Sequence, residues 1–147
     1  MEEFGPTGSP TAIWSKYNGT SFDGPSALAF DGSGNLYVGD LGNGVVDEFS
    51  GTNLQTSAYQ WALDNGCYVV GLAVDGSGNL YVADYGYEQN GQLDPNFGNG
   101  LMEEYGPSGG PQLTAWSYGT NFGPIAVLLS GGSIWVADNN NNLIDQF

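Results

Sequence analysis

The octet DGSGNLYV occurs twice without change, at residues 31–38 and 75–82. Each copy sits inside a longer recurring block. Residues 24–40 read GPSALAFDGSGNLYVGD, residues 69–84 read VVGLAVDGSGNLYVAD, and residues 123–138 read GPIAVLLSGGSIWVAD. A chain written this way is one supersecondary unit used several times, whose hydrophobic faces are buried by stacking on its neighbours. The blocks end on Asp40, Asp84 and Asp138, at intervals of 44 and 54 residues, so the third lies behind an insertion. The extra residues fall in YGYEQNGQLDPNFGNG, 85–100.

Two further elements recur. VVDEFSG (45–51), LMEEYGPSG (101–109) and LIDQF (143–147) form one set, and MEEFGPTG (1–8) matches its second member closely. The other centres on Trp14, Trp61 and Trp116. Each element is short, rich in aromatic and branched residues, and bounded by Gly, Asn or Pro, which reads as a β-strand between turns. With 25 Gly and 7 Pro and no long stretch free of them, helices have nowhere to run and an all-β chain is expected. Four strands recur per unit: A (SALAF, GLAV, IAVLL), B (NLYVGD, NLYVAD, SIWVAD), C (VVDEF, LMEEY, LIDQF) and D, the tryptophan strand, first met at 11–17. In NLYVAD, Leu80 and Val82 share one face while Tyr81 and Ala83 share the other, so neither face is polar and both must be covered. Four-stranded blades stacked around an axis meet that demand. The units run approximately 1–44, 45–100 and 101–142, with 143–147 as an extra strand.

These blocks resemble the NHL-type β-propeller repeat, in which a G-hydrophobic-A-hydrophobic-D strand and a small turn lead into a strand ending Y-V-A/T-D. The resemblance covers essentially the whole chain as three units. Two features depart from it. The basic residue that the family places before strand C is missing in every copy, and the third unit has Ser130 in place of the turn Asp. Three units are half of a six-bladed propeller, and propellers close with four to eight blades. The expectation is a homodimer that exchanges strands to close six blades. In it Met1–Phe4 and Leu143–Phe147 compete for one C position. The alternative is an excised part of a longer chain whose edges remain adhesive.

The formal charge is −15 at pH 7, from 16 acids against one lysine, with no Arg and no His. Nucleic acids and anionic membranes are therefore poor partners, because Lys16 alone cannot neutralise phosphates. Nucleophile machinery built on histidine is excluded, as is His-ligated zinc or haem. Cys67, the single cysteine, reads as a small apolar residue. No transmembrane or export segment is visible, and the Asn/Gly/Thr-rich composition resembles exported or cell-surface bacterial repeat proteins.

The functional candidates are few. Asp40, Asp84 and Asp138 could ring one face and hold Ca²⁺, or could simply accept backbone N–H bonds at strand ends. The DGSGN segments imitate the opening of a calcium loop but lack its bidentate Glu, and read as hairpin turns capped by Asp31 and Asp75. The insertion, with Tyr85, Tyr87, Glu88, Asp94 and Phe97, belongs to the face where B to C and D to A loops meet, a natural place for a small ligand, glycan or protein. Trp14, Trp61 and Trp116 could serve as sugar platforms or pack between blades. The adjacent acids Asp47 with Glu48, and Glu103 with Glu104, point to opposite faces and are expected to solvate blade edges. Enzymes of similar fold rely on metal, His or Arg groups, so no catalytic residue is assigned and no cofactor is expected. A non-enzymatic module is the expectation; a calcium-dependent lactonase- or lyase-like propeller fragment is the alternative.

Overall fold

A computed structural model describes residues 2–4, 10–13, 15–51, 57–63, 67–86, 88–89, 92–93, 100–118 and 121–147. Its strands, in chain order, are β1 (Glu2–Phe4), β2 (Pro10–Ile13), β3 (Lys16–Tyr17), β4 (Thr20–Ser21), β5 (Pro25–Phe30) and β6 (Leu36–Asp40). There follow β7 (Val45–Phe49), β8 (Ser57–Ala62), β9 (Val69–Val74), β10 (Leu80–Asp84), β11 (Glu88–Gln89) and β12 (Gln92–Leu93). The last are β13 (Leu101–Tyr105), β14 (Gln112–Trp116), β15 (Pro124–Ser130), β16 (Ser133–Asp138) and β17 (Leu143–Gln146). No helix among the described residues is long and apolar enough to cross a membrane.

The sheets reproduce the repeat. Blade 1 is β5-β6-β7-β8 and blade 2 is β9-β10-β13-β14, each a four-stranded antiparallel meander in A-B-C-D order. Blade 3 is β15-β16-β17, which has A, B and C strands but no D. The hairpin β1-β2 is a separate two-stranded sheet, a C and a D strand without A or B. The first D strand is shorter than 11–17: it ends at Ile13, and Lys16–Tyr17 pairs instead with Thr20–Ser21. Asn18 at φ 46° and Gly19 at φ 89° supply the left-handed turn between them, which is what draws 16–21 out of the strand.

The DGSGN segments are turns of one design. Asp31 Oδ1 accepts the N–H groups of Ser33 and Asn35, at 2.9 and 2.8 Å, and Asp75 does the same for Ser77 and Asn79, both at 2.8 Å. Gly34 and Gly78 carry the positive φ that closes each turn.

The innermost strand of blade 2, β9, packs on β5 at one side and β15 at the other. Between blades 1 and 2 lies a core of Ala27, Tyr37, Val46, Trp61, Val69, Leu72, Leu80, Val82 and Tyr105. Between blades 2 and 3 lies a second, with Ala83, Met102, Phe122 and Val136. Small residues set the spacing. A Cβ on Gly71 would stand 2.9 Å from Ala126 Cα, so blades 2 and 3 meet backbone to backbone there.

Candidate functional site

Each B strand closes on a buried aspartate that ties two loops together. Asp40 accepts the Asp23 N–H at 2.8 Å and the Asn43 side-chain amide at 2.6 Å. Asp84 accepts the N–H groups of Tyr68 and Gly86, at 2.7 and 2.9 Å. Asp138 accepts those of Gly123 and Asn141, at 3.0 and 3.2 Å, and the Asn141 amide at 2.6 Å. The chain arriving from the preceding blade is thus clamped to the chain leaving for strand C. Backbone N–H groups need such an acceptor wherever a loop is covered, and this need accounts for the recurrence of Asp at these positions.

A second acid stands beside each clamp, in the middle of strand C. Asp47, Glu103 and Asp145 pair in register with Val38, Val82 and Val136. All three are buried, as is Glu48. This corrects the expectation of solvated edges: strand C has a neighbouring strand on each side within the first two blades. The Asp47 carboxyl, bonded to the Gln60 amide at 2.6 Å, is pushed up to about 6 by burial and by Asp40 despite that amide. Burial likewise raises Glu48, with Asp31 adding to it, and raises Asp145, with Asp138 adding to it. Tyr17, Thr20, Asp40, Asn43, Asp47 and Gln60 enclose a pocket of about 230 Å³ on blade 1.

In blade 2 the pair becomes a trio. Cys67, Asp84 and Glu103 bring one ligand atom each within 4.8 Å of one another. The Cys67 thiol donates to Glu103 Oε2 at 3.6 Å, the Tyr105 hydroxyl donates to the same oxygen at 3.3 Å, and the Gln112 amide donates to Oε1 at 2.6 Å. Burial pushes the thiol far above its ordinary range, and both carboxylates push it further. Cys67 is therefore a protonated donor, more than the apolar filler that its solitude in the sequence suggests. Only the shared interior-facing register of strands B and C could have signalled this trio.

The other candidates scatter. Tyr85 donates its hydroxyl to Asn140 Oδ1 at 2.7 Å, joining the loops of blades 2 and 3. Glu88 lies in β11, opposite Leu93 in β12. Tyr87, Asp94, Phe97 and Trp14 lie outside the described residues. Trp61 is buried between blades 1 and 2, stacks obliquely on Tyr37, and donates its indole N–H to the Gly106 carbonyl at 2.9 Å. Trp116, its counterpart, is half-buried against Phe147, and its indole nitrogen is buried with no acceptor. On the opposite rim a cleft of about 490 Å³ runs between the A to B turns of blades 2 and 3, bordered by Asp75, Tyr81 and Ser133.

Blades 1 and 3 each leave part of one sheet face uncovered. Leu28 and Phe30 on β5 are 56% and 60% exposed, on the side away from blade 2. On β15, β16 and β17, Leu128, Trp135 and Ile144 are 64%, 37% and 74% exposed, again on the side away from blade 2. Apolar faces of this kind in monomers mark contact surfaces.

No family model matches the chain, and no curated protein sequence does. Solved structures resemble it. Virginiamycin B lyase from Staphylococcus aureus superposes with a TM-score of 0.66 at 13% identity, over 98% of this chain and 46% of the lyase chain. BBS1N, in its complex with ARL6DN, gives a TM-score of 0.58 at 14% identity, over 86% of this chain and 38% of that one. The fold is a β-propeller array of four-stranded blades. The chain spans less than half the length of either structure.

Proposed function

We propose that this chain is a non-enzymatic half-propeller whose immediate property is self-assembly: two copies close a six-bladed ring, and the loop face carrying 85–100 is where the ring meets a small ligand, glycan or protein. The observation that carries the reading is the pair of uncovered apolar faces at opposite ends of the blade array, Leu28 with Phe30 and Leu128 with Trp135 and Ile144. Blade 2, with a neighbour on each side, buries Leu72 and Met102, the counterparts of Leu28 and Ile144. Covering them in the end blades removes the same kind of surface from water, at about 25 cal/mol for every Å². Light scattering tests this. The chain should elute with twice the mass of one copy, and Leu128→Asp should return it to single mass. A single mass for the unaltered chain would defeat the reading.

The calcium-dependent lyase- or lactonase-like alternative draws on the convergence of Cys67, Asp84 and Glu103. The same groups are engaged by Tyr68, Gly86, Tyr105 and Gln112, and the thiol holds its proton, which favours a structural network over a cation seat. Calorimetric titration with Ca²⁺ discriminates the two, with no heat expected for the assembly module.

A further inference from the structure

Blades 1 and 2 hold the acid in the middle of strand C alike through its first oxygen. Gln60 donates its amide to Asp47 Oδ1 and Gln112 donates its amide to Glu103 Oε1, both at 2.6 Å. The second oxygen is treated differently. Glu103 Oε2 receives the Cys67 thiol and the Tyr105 hydroxyl. Phe49 stands at the Tyr105 position, since the two pair with Leu36 and Leu80, which open strand B in their blades. Phe22 stands at the Cys67 position, because the residues that follow, Asp23 and Tyr68, give their N–H groups to Asp40 and Asp84. Both donors of blade 2 are thus present in blade 1 as phenylalanines. Among the described residues Asp47 Oδ2 has no hydrogen-bond partner, although the residue is 1% exposed. The difference lies in the blade's own side chains, and a buried acceptor left this way calls for a donor.

Asp47 lines the pocket of about 230 Å³ on blade 1. Most donors on its walls are engaged: the Gln60 amide with Asp47, the Asn43 amide with Asp40 Oδ2 and the Ser21 carbonyl, the Tyr17 hydroxyl with the Tyr59 carbonyl. Acceptors remain, namely Asp47 Oδ2 and the side-chain carbonyl oxygens of Gln60 and Asn43, beside the carboxylate of Asp40. A negative pocket with free acceptors selects a cation that carries N–H donors. Ca²⁺ fits poorly, because it needs six to eight oxygens and both oxygens of Asp40 are already bonded, to the Asp23 N–H and to Asn43. The Tyr17 ring and Val45 add an apolar wall that a metal ion leaves unused and a carbon chain covers. The volume lies below the roughly 300 Å³ at which drug-sized pockets begin, so the chain is short.

We propose that this pocket binds a small primary alkylammonium ion, with its N–H groups donating to Asp47 Oδ2 and its chain lying on Tyr17 and Val45. Every wall belongs to one copy, so the site does not depend on ring closure.

The probe is n-butylammonium chloride, titrated at pH 7 and constant ionic strength into the ¹⁵N-labelled full chain, with n-butanol as the uncharged control. The side-chain amide signals of Gln60 and Asn43 should shift saturably with the ammonium and stay in place with the alcohol. Asp47→Asn keeps the shape of the side chain and should weaken binding about tenfold or more. Thr20→Trp, on the exposed β3-β4 hairpin, fills the pocket without altering Asp47 and should block binding too. Asp40 on β6 and Tyr17 on β3 are the titratable groups facing Asp47, whose carboxyl, raised to about 6, must ionise to hold the cation. Affinity should therefore rise between about pH 5 and pH 7, and Asp47→Asn should lose that dependence. No saturable shift, equal binding of butanol, or unchanged affinity in either variant would overturn the proposal. Displacement of the ammonium by an equal concentration of CaCl₂ would overturn it in favour of a metal site.

Discussion

At the residue scale, the strand C acids Asp47, Glu48 and Asp145 are buried and their carboxyls raised, so their titration should govern stability. The Asp47 carboxyl is raised from 3.8 to about 6, so the folded chain binds a proton more tightly than the unfolded one. Its contribution is fully present below about pH 4 and is lost as pH rises through about 6. Glu48 and Asp145, raised by burial, act in the same direction. The melting temperature should therefore fall between pH 4 and pH 7, and Asp47→Asn should flatten that slope and stabilise the chain by about 1–2 kcal/mol at pH 8. A variant with an unchanged slope would show that Asp47 stays in contact with water. Trp61→Phe removes the indole donor and leaves the Gly106 carbonyl unpaired, at a cost of about 1–2 kcal/mol read from the urea midpoint. The caps at Asp31 and Asp75 were legible because Asx turns are local. The Cys67, Asp84 and Glu103 trio was not, since 36 residues separate Cys67 from Glu103 and only the folding of the connection into blade 2 joins them.

At the scale of the element, repetition made the strands readable, and departures from repetition are where reading fails. The first D strand is shorter than its residues suggest: Lys16–Tyr17 has strand-like residues, but the left-handed turn at Asn18-Gly19 folds it into its own hairpin. Tyr17 then packs edge-on against Phe49 and donates its hydroxyl to the Tyr59 carbonyl, covering the outer part of blade 1. Gly39 is the inverse case. The other two B strands carry Ala83 and Ala137 at that place, so repeat logic marks Gly39→Ala as harmless. In the structure, a Cβ on Gly39 would stand 2.6 Å from Val69 Cγ1 and 3.3 Å from Val69 Cβ. The substitution should destabilise by about 1–3 kcal/mol in urea melts, against the repeat's own preference. Neutrality would mean that blades 1 and 2 have slack between them.

For the whole molecule, the charge of −15 is a property of repetition: seven of the 16 acids sit on C strands and three on the loop clamps. The proposed dimer would double that charge, and the repulsion has a long reach when salt is scarce, because the screening length grows from about 8 Å at 0.15 M to about 30 Å at 0.01 M. Lowering ionic strength over that range should weaken association several-fold in sedimentation experiments. An affinity independent of salt would mean that the apolar faces alone decide. The number of blades per chain was legible from the repeat count, but the proposed ring closure rests on faces that only the fold identifies as uncovered, Leu28 and Phe30 at one end and Leu128 and Trp135 at the other. Small-angle X-ray scattering tests that closure most directly. Two copies should give a compact disc with the scattering profile of a complete six-bladed propeller; an open half-disc, or an extended pair joined at one end only, would contradict it.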